Sequence, residues 1–188
     1  MNSRIILGSN SPRRKELLSD MGFDFRVYSI DIDESFPIDL DPFEVAEYVA
    51  LKKATHLQEH LEENEILICA DTTVILDHRV LGKPSDYEEA FAMIKELSGR
   101  KHHVVSGVAV FTLKDQISFS EITEVNFKTI PDEMIDYYIR EFKPFDKAGS
   151  YGIQEWIGYN FISEIKGSYT NVVGLPTQRL FETLKKLI

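Results

Sequence analysis

Five consecutive apolar residues, Ile66-Leu67-Ile68-Cys69-Ala70, run straight into Asp71. A strand that meets water on one face alternates apolar and polar residues. An unbroken run of this length, rich in β-branched residues, belongs to a strand covered on both faces. This predicts a central strand with helices on either side, and Asp71 stands at its carboxyl end. In α/β sheets ligands gather at that edge. A carboxylate there can hold a divalent cation or take a proton from water. It can equally close a local turn through Thr72 or Thr73.

The flanking sequence supplies the rest of an α/β mixed sheet. Arg4 to Ser9 and Phe25 to Ile30 read as short strands. Ser11-Pro12 signals a helix start that Gly22 ends. Asp41-Pro42, with Glu44 three residues after Asp41, is expected to open a second helix, whose apolar stripe is Ala46, Val49, Ala50, Ala54 and Leu57. Asp77-His78 suggests a hairpin turn, Ser85 and Glu88 a capped helix ending near Gly99. Val104 to Leu113 and Ile117 to Lys128 read as two long strands joined at Lys114-Asp115. Pro131 is expected to start a helix. Asp146 to Gly158 reads as a glycine-bearing loop ahead of a strand near Phe161 to Ile165, and Pro176 begins a last helix with Leu180, Leu184 and Leu187 inward.

Charge narrows the function. The 188 residues hold 21 Lys and Arg against 31 Asp and Glu, a net of −10. Nearly all of it lies in residues 31–65, where eleven acids face only Lys52 and Lys53, a net of −9. A chain so acidic does not bind long nucleic acid through a basic face. No apolar run approaches the roughly 20 residues that span a bilayer, and the N-terminal segment lacks a signal-peptide layout. We therefore expect a cytoplasmic protein with no membrane partner. A single cysteine, Cys69, excludes an internal disulfide framework and a cysteine-based zinc site. Its place inside the apolar run makes it a core residue, and His56, His60, His78, His102 and His103 form no zinc pattern.

Three anomalies carry chemistry. Arg13, Arg14 and Lys15 crowd the first turn of a helix, where the macrodipole disfavours cations by about 0.3–1 kcal/mol each. Free amides, the dipole and two guanidinium forks together make a phosphate site. A solvated helix end offset by Glu16 and Asp20 is the other reading. Lys53 falls at the edge of a buried stripe, where an ammonium needs a partner or a polar cavity unless it snorkels outward. Asp31, Asp33 and Glu34 form an acidic cluster suited to a hard cation or simply to solvent. Lys83 in Leu81-Gly82-Lys83-Pro84 and Lys147 in a glycine-containing loop are, taken singly, ordinary surface lysines.

Taken together, these segments resemble the Maf family of nucleotide pyrophosphatases. The matching runs are SNSPRRKELL at 9–18, DIDE at 31–34, Lys53-Ala54, ADTTV at 70–74, LGKP at 81–84, LSGRKHHVVSGVAV at 97–110, DKAGSYGIQ at 146–154 and GSYTNVVGLP at 167–176. They follow the family order and span nearly the whole chain. The resemblance implies one Maf-like domain over 1–188, an elongated α/β fold of the Maf and inosine-triphosphatase kind with two lobes around a cleft. It implies hydrolysis of a nucleoside triphosphate to the monophosphate and pyrophosphate with Mg²⁺ or Mn²⁺, and a homodimer. Carried over by position, Asp71 is the proton acceptor, and Ser9, Arg13, Arg14, Lys53, Lys83 and Lys147 hold phosphates. Glu34 and Asp71 face the metal, and Arg13, Thr72 and Gln154 bear on substrate choice.

DKAGSYGIQ resembles the branch acting on dTTP and UTP, with modified pyrimidine nucleotides as further candidates, rather than the branch acting on 7-methyl-GTP. The family is also linked with cell-division arrest, which keeps a septum-related regulator as the alternative. Two positions depart from the family pattern. Glu155-Trp156 stands where many members have Gly-x-Gly, and Ser106 where threonine is common.

Overall fold

The computed structural model describes residues 4–188. Met1–Ser3, the opening of the segment read for a leader, lie outside the described residues. The described residues form seven strands, β1 (Arg4–Leu7), β2 (Phe25–Val27), β3 (Glu65–Leu76), β4 (Arg79–Leu81), β5 (Lys101–Phe111), β6 (Gln116–Phe127) and β7 (Ile162–Lys166). Seven α-helices accompany them, α1 (Pro12–Asp20), α2 (Val45–Leu57), α3 (Tyr87–Leu97), α4 (Asp132–Phe142), α5 (Trp156–Phe161), α6 (Tyr169–Val173) and α7 (Thr177–Leu187). The strands make one mixed sheet in the order β2-β1-β3-β5-β6-β7, with β4 paired to β3. β1 runs parallel to β2 and β3, whereas β4 lies antiparallel to β3 and β7 antiparallel to β6. The chain divides into two compact units, one of residues 1–72, 106–121 and 174–188 and one of residues 73–105 and 122–173.

In the first unit the apolar run does what its composition requires. Ile66, Ile68 and Ala70 join Ile5, Leu7, Val108 and Val110 in a core that includes Leu18 of α1 and Leu180 and Leu184 of α7. Leu67 and Cys69 join Ile6, Ala109 and Phe111 in a core completed by Ala50, Ala54 and Leu57 of α2. Successive side chains of a strand point to opposite faces. One strand therefore serves two helical layers, and both its parities must be apolar. Gly107 seats α2, because a side-chain carbon there would overlap the backbone of Ala46 and Glu47. Gly8 lies against Cys69 and Leu57 in the same way.

The second unit packs α3 and α4 on the remaining halves of the long strands, through Val74, Leu76, Ala90, Ile94, Val104, Phe127, Ile135 and Tyr138 among others. The hairpin expected at Asp77-His78 forms without glycine, with φ of 48° and 60° at its two residues. Aspartate and histidine tolerate this left-handed region better than most side chains.

Four expectations are corrected. Asp71, expected at the carboxyl end of the central strand, lies midway along β3, which runs on to Leu76 because Val74 to Leu76 pair with β4. The helix expected from Asp41 begins at Val45, because the Asp41 carboxylate accepts from the Phe43 amide at 2.9 Å and closes a turn of its own. The cap of α3 is Asp86, which accepts from the Glu89 amide at 2.9 Å, while Glu89 accepts from the Ser85 amide at 2.8 Å. This is a capping box one residue along from the Ser85–Glu88 pairing. The Asp146 to Gly158 loop ends at Glu155, where α5 starts. Among the described residues no helix is long and apolar enough to cross a membrane.

Candidate active site

Strand parity sorts the candidate residues of the first unit. Asp71 continues the series of Leu67 and Cys69, so it emerges on the α2 side. There it meets Lys53, which lies between the buried Ala50 and Ala54. Lys53 Nζ donates to Asp71 Oδ1 at 2.8 Å and lies 2.7 Å from Glu34 Oε1. The Lys53 and Asp71 side chains are 14% and 17% exposed, so the pair is largely withdrawn from water, whereas Glu34 at 47% is not. The lysine read as either buried or snorkelling is thus turned inward, with two carboxylates converging on its ammonium. The acidic cluster is divided, because Asp33 instead takes the Ser35 hydroxyl and lies 3.6 Å from Lys52.

Thr72 continues the series of Ile66, Ile68 and Ala70 and emerges on the α1 side, where Arg14 Nη2 donates to its hydroxyl at 3.0 Å. Arg14 Nε donates to the Gly174 carbonyl at 2.9 Å and Nη1 to Ser9 Oγ at 3.3 Å. The Thr72 and Ser106 hydroxyls, 2.8 Å apart, share a further hydrogen bond. Burial lowers the pKa of the Arg14 guanidinium, Asp71 and Glu34 oppose that fall, and Arg13 adds to it. Ser9 Oγ also accepts from the Ser11 amide at 3.3 Å. The cation-rich helix start is therefore tied by one arginine to the middle of β3. α1 has no acidic residue in its first turn, and Ser11 caps it without a side-chain hydrogen bond. Gly174, within the GSYTNVVGLP run, has a φ of 129° that favours glycine and presents its carbonyl to Arg14. Nearby Cys69 is inert, since burial pushes its thiol up to about 12.

The second unit holds the remaining candidates. Lys83 is exposed. Lys147 is buried, with Nζ 2.7 Å from Asp146 Oδ1 and 3.0 Å from Glu155 Oε1. The Gly149 amide donates to the Gly82 carbonyl at 3.0 Å and ties the two lysine-bearing loops together. Gln154 buries its side-chain oxygen without a hydrogen-bond partner. Sequence reasoning missed the roles of Glu155 and Tyr138, whose hydroxyl bonds the Glu155 carboxylate and accepts from the Gly152 amide at 3.1 Å. The one available signal was the departure from Gly-x-Gly at Glu155. It likewise had no pairing for Ser106.

Among the described residues no three His, Cys, Asp or Glu side chains cluster as a ready-made metal cage. Glu34 and Asp71 are nonetheless hard oxygen donors already converging on a cation, the Lys53 ammonium. One or two carboxylates completed by substrate oxygens is how Mg²⁺ is commonly held. The residues present fit such an ion.

The mixed sheet with helices on both faces is an α/β fold of the Ham1 type. It aligns with a HAM1 protein from Coxiella burnetii over 97% of this chain and 98% of that one, with a TM-score of 0.57 and 15% identity. Residues 4–187 match the family described as Maf-like protein. The chain belongs to that family. It is 51% identical to a dTTP/UTP pyrophosphatase of Phocaeicola vulgatus over 185 residues, 98% of this chain and 96% of the relative. Proteins of the same name from Bacteroides thetaiotaomicron and Porphyromonas gingivalis are each 48% identical, with 98% and 97% of this chain covered and 96% and 93% of theirs.

Proposed function

We propose that this chain is a nucleoside triphosphate pyrophosphatase that hydrolyses dTTP and UTP to the monophosphate and pyrophosphate. The observation that carries the chemistry is Lys53 bridging Glu34 and Asp71 midway along β3, beyond the point where its pairing with β1 stops. The substrate choice rests on the relatives named above, which match this chain almost end to end.

In this reading Asp71, an acceptor-only carboxylate, takes the proton of the water that attacks the α-phosphorus. Lys53 fixes Oδ1 of that carboxylate and offers its remaining donors to phosphate oxygens. Ser9, Arg13 and Arg14 bind phosphate at the start of α1, where amides and guanidinium groups favour anions. Arg14 is held for this by Thr72 and Gly174. From the second unit, Lys83 and Lys147 are proposed as phosphate ligands, and Gln154, with Arg13 and Thr72, as a specificity residue. The orphaned oxygen of Gln154 is an acceptor that a nucleobase donor would satisfy. Mg²⁺ or Mn²⁺, held by Glu34 and Asp71, would neutralise the charge that develops on the departing pyrophosphate. We further propose that residues 1–188 act as one Maf-like domain, working in the cytoplasm as a homodimer.

The test is a panel of dTTP, UTP, CTP, modified pyrimidine triphosphates and 7-methyl-GTP, with pyrophosphate release as readout and metal omitted in one arm. Turnover of dTTP and UTP that needs the metal is expected. No hydrolysis of any triphosphate with metal present would overturn the enzymatic reading and leave the regulatory one. Preference for 7-methyl-GTP would overturn the base assignment alone.

A further inference from the structure

Glu155 is built into its place. Its carboxylate carbon lies 2.8 Å from where a Cβ of Gly152 would stand, so in this position it occupies space that a side chain at 152 would contest. Tyr138 holds one carboxylate oxygen through its hydroxyl, and the other lies 3.0 Å from Lys147 Nζ. Burial and the Glu155 charge push the Tyr138 phenol far up, so it remains a donor throughout the working range of pH. The side chain is 22% exposed, against 58% for Asp146, the other acid on Lys147. Glu155 is thus the more buried acid on Lys147 and Asp146 the more exposed one.

A carboxylate fixed on the ammonium meant for a phosphate opposes the arrival of that phosphate. We propose that Glu155 is an anionic brake on Lys147, weakening the protein's hold on triphosphate and pyrophosphate. The inference rests on Lys147 being a phosphate ligand, as proposed above. The brake suits an enzyme that must release a polyanionic product, because an acid waiting beside the ammonium takes it back as pyrophosphate leaves. Glu155 stands where the family resemblance gives glycine, so the brake distinguishes this chain from members lacking the acid.

The experiment measures binding of inorganic pyrophosphate by calorimetry, and KM and kcat for dTTP, in Glu155→Gln, Lys147→Met and the double variant. Glu155→Gln keeps the side-chain volume and removes the charge. It is expected to tighten pyrophosphate binding about three- to tenfold and to lower KM for dTTP in step. Glu155→Gly serves as a second charge-removing variant should the first fail to fold, as judged by its melting temperature. Lys147→Met is expected to weaken both, and in its background removal of Glu155 is expected to change neither. Unchanged or weakened pyrophosphate binding in Glu155→Gln overturns the brake, and so does an equal effect of Glu155 with and without Lys147. If Lys147→Met leaves pyrophosphate binding and KM untouched, the reading of Lys147 as a phosphate ligand is what fails.

Discussion

Two of the candidate phosphate-binding lysines, Lys53 and Lys147, are each gripped by two carboxylates, and the grips differ in kind. Lys53 lies 2.7 Å and 2.8 Å from Glu34 and Asp71, and Lys147 lies 2.7 Å and 3.0 Å from Asp146 and Glu155. In the first unit a helix laid directly on Gly107 carries the lysine, and the central strand carries Asp71. In the second, the lysine and both its acids come from one loop and the start of the helix after it. Rigid elements place reacting atoms more tightly than loops do. In the proposed reading the strand-borne pair does the chemistry and the loop-borne one adjusts affinity.

The sharpest way to break that division is Asp71→Asn, which keeps the shape and removes the proton acceptor. Turnover is expected to fall by about 10²–10⁴-fold with melting nearly unchanged, followed by pyrophosphate release. Full activity in a folded Asp71→Asn protein would end the assignment of chemistry to this pair. Next in size is Gly107→Val. A side chain there meets the α2 backbone, which cannot yield as a flexible side chain would. A destabilisation of about 3 kcal/mol or more is expected, read as a melting temperature lower by roughly 6–12 °C. Activity of the surviving folded fraction should also drop, because α2 carries Lys53.

Most of the strand-borne pair was legible in the sequence, and little of the loop-borne one. A strand has a strict two-residue period, so the apolar run at 66–70 already implied that Asp71 and Thr72 would leave the sheet on opposite faces, toward different helices. Arg14, out of place at a helix start, and Lys53, out of place beside an apolar stripe, then found those two residues as partners. The contacts of Glu155 obey no period. Tyr138 lies 17 residues before it on another helix, and the pairing depends on the shape left by Gly152. A sequence pattern records local repetition, and this contact is neither local nor repeated. Helix α2 began late for a related reason, since an aspartate able to cap a helix closed a different turn.

A buried histidine of the second unit gives the fold a pH sensitivity of its own. His102 Nε2 lies 2.7 Å from the Tyr151 hydroxyl, its other ring nitrogen is buried without a partner, and burial lowers its pKa to about 3. The unfolded chain takes up a proton near pH 6.5 that the folded chain refuses. Stability is therefore complete above that value and is lost as pH falls toward 3. Between pH 6.5 and 5 the expected loss is about 2 kcal/mol. Denaturant melts across this range are expected to show it in the native protein and to lose it in His102→Gln. An unaltered acid slope in that variant would show that another group sets it.

The smallest effect tests the comparison from inside the loop-borne pair. Asp146 lies closer to Lys147 than Glu155 does, 2.7 Å against 3.0 Å, so distance alone would make it the stronger brake. Exposure reverses the order, because Asp146 is largely in solvent and Glu155 is not. Water and salt screen an exposed pair to about 0–1 kcal/mol. Asp146→Asn is therefore expected to change KM for dTTP by less than about fivefold. That change should fade as salt is raised from low to physiological strength, while the change from Glu155→Gln persists. Equal salt dependence in the two variants would mean that solvent reaches both carboxylates alike. The fit of Glu155 against Gly152 and Tyr138 would then count for nothing in the affinity.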